Sequence, residues 1–337
     1  MRSVKLWLRG KQDEEVVLLL ETEVVVSASP HIRQGVTTER IMWMVVISLL
    51  PAVFASITFF GGRALLIILC SVFSAVLTEA AVEILLKRPV TVKDGSAAVT
   101  GLLLALTLPP TVPLILPVLG AAFAIAIGKQ IFGGLGFNPL NPALIGRAFL
   151  LASWPDLMTT WKWPAASLTW LESQADAVAG ATVLGLIKEG TTVQLPFLQM
   201  FLGNMSGSLG ETSALALLVG GLFLLAYQII DWRIPVGYLG TVILMALLVG
   251  ENPLLQLLAG GLILGAFFMA TDYVTTPVTP KGRLIFGIGC GLLTMLIRKY
   301  GGFPEGVGYS ILLMNVATPL LDRWTIPKRF GEVKANG

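Results

Sequence analysis

"TLPPT", Thr107 to Thr111, and "TTPVT", Thr275 to Thr279, share the pattern T-x-P-x-T and lie 168 residues apart, half the length of this 337-residue chain. Each closes a short apolar segment. Proline supplies no amide donor and frees carbonyls on the preceding turn, so each motif predicts a helix that breaks within a bilayer and needs polar partners there. Gly133-Gly134 and Gly301-Gly302 recur at the same offset. Shifting the chain by 168 residues also lays its first five apolar segments on its second five. Five is odd, so the second half must enter the membrane upside down, the inverted-repeat arrangement of many transport proteins.

The composition agrees with a membrane protein. The chain is 55% hydrophobic and 13% charged, against roughly 25% charged in soluble domains. Its mean hydropathy is +0.81. Apolar runs at 41–60, 63–86, 212–230, 234–250 and 253–271 read as clear spans. Runs at 97–108, 112–128, 138–153, 283–298 and 305–321 are weaker, each short or interrupted by Gly, Pro or a charge. The predicted fold is therefore an all-α polytopic membrane protein of about ten transmembrane helices in two inverted five-helix repeats. The expected organisation is a cytoplasmic segment 1–40, a first repeat 41–153, an outer loop 154–210, a second repeat 211–322 and a tail 323–337.

Lys and Arg set the sides. The N-terminus, the loops after even-numbered spans and the C-terminus hold 17 basic residues, whereas the opposite loops hold 5. The asymmetry places both termini in the cytoplasm and 154–210 outside. Trp154, Trp161, Trp163 and Trp170 at the start of that loop are expected at the headgroup level. One histidine, His31, and two separated cysteines, Cys70 and Cys290, give no metal centre and no disulfide framework. No basic–aromatic patch suggests nucleic acid.

Polar groups at membrane depth are costly and usually partnered. Asn138, Asn141 and Arg147 sit at and within the fifth span; the two Asn-Pro steps resist regular helix, so their amides either face a ligand or cap a turn. Asp94 reads as a helix cap, and Asp272 as a candidate partner for Arg147. Glu79 and Glu83 share a helical face; with Lys87 four residues further on, the pattern favours a solvated span end over a cation path. The segment Gly207 to Ala216 reads as a helix start, with Glu211 near the positive end of its dipole. No P-loop, HExxH or nucleophile elbow is present. A channel or transporter is what these residues alone predict.

Five segments taken in order change that expectation: "SPHIR" (29–33), "DGSAAVTGLLLALTLPP" (94–110), "GFNPLNPALIGRAF" (136–149), "GSLGETSALA" (207–216) and "TDYVTTPVTPKGR" (271–283). Together they resemble the NqrB/RnfD family of membrane subunits in ion-translocating oxidoreductases. The short N-terminus resembles the Rnf-type members more than the NqrB-type. The resemblance implies a fold similar to urea and ammonium channels. It also implies a redox-driven translocase that couples ferredoxin–NAD electron transfer to Na⁺ or H⁺ movement and is inactive when alone. Its implied partners are the A, B, C, E and G components of Rnf, a flavin transferase and membrane lipid. The alternatives are the quinone-linked NqrB role and, from a different class, a small-solute channel of the same fold.

The resemblance further implies FMN joined through its phosphate to a threonine in a D-x-x-S-G-A-T motif. Asp176, Gly180, Ala181 and Thr182 match it, Thr182 being the attachment point, while Ala179 stands where the family has serine. A second, noncovalent flavin, riboflavin, is implied within the membrane part. Asn138, Asn141 and the turns at Thr107 and Thr275 are the candidates for its pocket.

Overall fold

A computed structural model describes residues 37–162, 179–180, 182–188, 196–203, 205–211, 213–302 and 305–327. They are helical apart from turns, loops and a two-residue antiparallel pairing. Thr37 caps α1 (Thr38–Phe60) by accepting from Arg40 N at 3.2 Å, and Gly61, at φ +70°, turns the chain directly into α2 (Gly62–Leu85). After a 3-10 turn at Val92–Asp94 come α3 (Ser96–Leu106), α4 (Ile115–Ile125, prolonged by a π turn at Ala126–Gln130), α5 (Pro142–Ser153) and the short α6 (Pro155–Met158). Two short helices, α7 (Val183–Lys188) and α8 (Phe197–Leu202), precede α9 (Ala214–Ala226) and α10 (Arg233–Val249). The last are α11 (Pro253–Leu258), α12 (Leu262–Leu264, prolonged by a π turn at Gly265–Met269), α13 (Pro280–Tyr300) and α14 (Val307–Thr325).

Three helices, α1, α2 and α13, are long and apolar enough to cross a bilayer by length and composition. Their neighbours are apolar but shorter. Large side chains such as Phe54, Phe73, Leu222, Leu248 and Val316 point outward with more than half of their surface exposed, an outer face suited to lipid. Inside, α2 packs on α3 and α4, α10 on α13, and α1 on α9. The α1–α9 contact is close because of Gly220, where a Cβ would stand 2.0 Å from the Ser48 carbonyl oxygen. Small residues at such crossings let backbones meet where apolar burial cannot discriminate between protein and lipid.

The structure corrects the predicted segments in three places. The run at 253–271 is two pieces. Gly260 and Gly261 take φ of +75° and +64°, and Arg298 donates to the carbonyls of Gln256 at 2.6 Å and Ala259 at 2.9 Å, supplying donors where the helix stops. The run at 283–298, interrupted by charge in the sequence, is the full-length α13, because Arg298 turns inward to make those bonds. Lys129, counted with a loop, lies on the π turn of α4 and is 2% exposed.

The break after α3 is fully supplied with partners. Thr107 Oγ1 donates to Leu104 O at 2.7 Å, Gly210 N to Leu106 O at 2.7 Å and Leu209 N to Leu108 O at 3.0 Å. Arg63 donates to the carbonyls of Pro110, Thr111 and Val112. Buried carbonyls left by an interrupted helix need such donors.

Between α9 and α10, Asp231 accepts from Arg233 N at 3.0 Å and from the guanidiniums of Arg233 at 3.0 Å and Arg283 at 2.9 Å. Burial works to raise its pKa, but these donors outweigh it and hold the carboxyl below its usual range. A folded-state value below the unfolded one gives stability that is present above about pH 4 and lost as pH falls through the depressed value. Asp231→Asn should therefore flatten the acid side of the pH profile of the thermal midpoint and change little in its shape above about pH 5. A profile identical to wild type on the acid side contradicts this.

Candidate functional site

Two cavities are lined by five of the polar residues singled out by sequence: Arg147 and Thr182 in one, Asn138, Asn141 and Asp272 in the other. The outer one has a volume of about 210 Å³ and is lined by Thr182, Arg147, Trp161, Tyr309 and Glu305, with Leu144, Leu151 and Leu312 among its apolar walls. Its construction follows from short local elements. Trp161 pairs with Gly180 in the antiparallel ladder, two positions before Thr182 in the chain. Thr182 then caps α7, its Oγ1 accepting from Gly185 N at 3.1 Å. The threonine is 5% exposed. Arg147 reaches in from α5, donating to the Thr107 carbonyl with one nitrogen and pairing with Glu305 through another.

Apolar walls with a few convergent polar groups are the usual character of a small-molecule site. Here the polar groups are a hydroxyl, a guanidinium and a carboxylate, beside a tryptophan and a tyrosine. This set fits a flat aromatic ligand tethered through a phosphate: the hydroxyl would accept the tether, and the guanidinium would offer charge. The residues of the outer cavity thus match a phosphate-linked FMN. Asp176 and Ala181, the other members of the attachment motif, lie outside the described residues, as do Trp163 and Trp170. Trp161 is 7% exposed and lines the cavity. Trp154 is half-buried, edge-on to Phe149 at 6.0 Å.

The inner cavity is about 70 Å³ and is lined by Asn138, Asn141, Lys129, Ser96 and Asp272, with Phe267 and Phe268 from the π turn of α12. Asn141 caps α5 through Leu144 N at 3.3 Å and donates to Met269 O at 3.2 Å, bridging the two halves of the chain. Asn138 donates to Leu140 O at 3.1 Å, and its Oδ1 is buried without a hydrogen-bond partner among the described residues. That orphaned acceptor fits the donor edge of a flavin ring. The space itself takes a few water molecules, so a tricyclic ring enters only if the walls move. Thr107 and Thr275 line neither cavity. Thr107 touches the outer one through its carbonyl bond with Arg147, and Thr275 the inner one through a 3.2 Å bond from its Oγ1 to Asp272.

Beside the inner cavity is a group whose surroundings differ from the expectation. Glu79 and Glu83, expected at a solvated span end, are 0% and 4% exposed. Lys129 pairs with Glu79 and donates to Ser96 Oγ at 2.5 Å; Gln130 donates to Glu79 at 3.0 Å and Glu83 at 3.2 Å. Glu83 also accepts from Thr91 N at 2.9 Å and Thr91 Oγ1 at 2.5 Å. Asp94 accepts from Ser96 N at 2.8 Å and Ser96 Oγ at 2.6 Å, while the N-cap position of α3 is taken by Gly95 and not by Asp94. Lys129 and Gln130 both lie on the π turn and are 2% and 1% exposed. The signal available in sequence was the position of Lys129 between apolar "AIAIG" and "IFGG".

Another expectation also changes. Asp272 pairs with Thr275 and with Val274 N at 3.4 Å rather than with Arg147, whose partner is Glu305. The helix start expected beside Glu211 is that of α9, which Ser213 caps; the Glu211 carboxylate folds back onto Ser208 N at 3.2 Å and Ser208 Oγ at 3.1 Å.

Comparison with known proteins bears on the whole chain. The sequence profile of the NQR2, RnfD, RnfE family matches residues 25–331. The chain is 53% identical over 317 residues to the D component of the Na(+)-translocating ferredoxin:NAD(+) oxidoreductase complex of Acetobacterium woodii, covering 93% of this chain and 97% of that protein. It is 46% identical over 322 residues to the D component of the proton-translocating ferredoxin:NAD(+) oxidoreductase complex of Clostridium ljungdahlii, covering 91% and 96%. It is 44% identical over 327 residues to the D component of the ion-translocating oxidoreductase complex of Stutzerimonas stutzeri, covering 88% and 92%.

Proposed function

The chain belongs to the NQR2, RnfD, RnfE family, and on that premise we propose that it is the D component of an ion-translocating ferredoxin:NAD⁺ oxidoreductase complex, carrying FMN on Thr182. The observation that carries the flavin part is that Thr182 shares one cavity with Arg147, Trp161 and Tyr309. When bound, FMN supplies a carrier that takes up and releases electrons one at a time. The chain's part is to hold it: Thr182 anchors the phosphate, Trp161 and the leucines keep water from the ring, and Arg147 presents charge. Asn138 and Asn141 are the contacts proposed for a second flavin.

The two-repeat reading has support in the element order. Adding 168 to the bounds of α3, 96–106, gives 264–274, which overlaps the π turn of α12; the same shift carries α4 with its π turn, 115–130, onto 283–298 within α13. The third element is short in both halves: α3 ends directly before its T-x-P-x-T, and the π turn of α12 ends at Met269, six residues before Thr275. We read the ten spans as inverted repeats, with termini inside and 154–210 outside.

Full-length identity to proteins named as oxidoreductase components favours the redox role over a solute channel. The test is to purify the chain through an affinity tag from cells that express its complex. Redox subunits should co-purify, and the preparation should reduce NAD⁺ with reduced ferredoxin while moving Na⁺ or H⁺ into liposomes. Recovery of the chain without redox partners, together with urea or ammonium flux by the chain alone, would overturn it.

A further inference from the structure

The outer cavity contains a charge pair whose role the anchoring of a flavin leaves unused. Arg147 sits 12% exposed and Glu305 21% exposed at its wall. An arginine side chain has five N–H donors. Among the described residues, hydrogen bonds to the Thr107 carbonyl and Glu305 occupy two of them. Holding a guanidinium inside an apolar protein is costly, and the carbonyl at Thr107 needs one donor, which a neutral side chain supplies at lower cost. The full charge has another use if the neighbouring ligand changes charge.

We propose that Arg147 is the positioning residue that sets the redox potential of the flavin held from Thr182, and that Glu305 moderates it. This rests on the reading of Thr182 as the flavin anchor. Each electron that arrives on the ring brings one negative charge into a cavity with largely apolar walls. A guanidinium there favours the reduced form, because charges interact far more strongly at low effective dielectric than in water. The carboxylate of Glu305 opposes it, and its pairing with Arg147 holds the guanidinium at the cavity wall. Two further charged groups act on this pair: Glu211, held by Ser208, and Arg298, which donates to the Glu305 carbonyl at 3.1 Å. No bond to the flavin forms or breaks in this role; the electron comes from the complex's own donor and leaves to its acceptor.

The two charges make opposite predictions. The full chain is loaded with FMN by a flavin transferase, purified in detergent and titrated potentiometrically while flavin absorbance is followed. Arg147→Gln should shift the midpoint potential down while the fluorescent flavin band survives denaturing electrophoresis. Arg147→Lys, which keeps the charge, should return it towards wild type. Glu305→Gln should shift it up. Unchanged potentials with the band retained overturn the role of Arg147, as does a downward shift in Glu305→Gln. If Arg147→Gln fails to fold, Glu305→Gln decides alone, because it leaves the Arg147 bond to Thr107 in place. Wild-type chain without a fluorescent band is a separate failure: it removes the anchor at Thr182, and this inference with it.

Discussion

Lys129→Met should leave little folded protein in the membrane, whereas Lys129→Met combined with Glu79→Met should recover most of it. The single change strips the counter-charge from Glu79, which is 0% exposed, and leaves a carboxylate facing Gln130 and apolar helix. Breaking one side of a buried ion pair costs about 3–5 kcal/mol, a large share of the roughly 5–15 kcal/mol that holds a domain together. Replacing both partners with apolar groups of similar volume is often neutral, because both desolvation penalties leave together. The measurement is the yield of monodisperse protein in detergent and its thermal midpoint, arranged as a double-mutant cycle. Additive losses would mean that the two groups do not depend on each other, contrary to the geometry of the π turn.

Thr182→Ala should abolish covalent flavin and leave the fold in place. The substitution removes the hydroxyl that would carry the phosphoester and also the bond from Gly185 N. Loss of such a cap costs about 1 kcal/mol, too little to unfold the chain, so a missing fluorescent band reports the attachment chemistry. Thr182→Ser keeps the hydroxyl and should keep the band. Complex assembled with the alanine variant should lose ferredoxin-dependent NAD⁺ reduction. A fluorescent band of wild-type strength in the alanine variant would move the attachment elsewhere.

What could be read from the sequence depended on how local each feature is. The break at Thr107 follows from two adjacent prolines and its position from the apolar run before it, so it was legible. The break at Gly260 was not: glycine alone is tolerated in membrane helices, and the donor that stabilises the interruption, Arg298, comes from a different helix, α13. The same reason hid the Lys129–Glu79 pair, whose members are 50 residues apart on different helices. Thr182 was singled out by family resemblance; a Gly-Ala-Thr tripeptide has no distinguishing physical chemistry of its own. Its cavity, with Arg147 from α5 and Glu305 from the approach to α14, is a tertiary product. Arg147 was visible as a charge at membrane depth, but its partner was not, since nothing separates Asp272 from Glu305 until the helices are placed.

The most direct measurement is the mass of the proteolytic peptide that contains Thr182, from chain produced together with its flavin transferase. Phosphoester attachment predicts an added mass of FMN less one water, with fragmentation that assigns it to Thr182. An unmodified peptide from a preparation that reduces NAD⁺ with ferredoxin would contradict it.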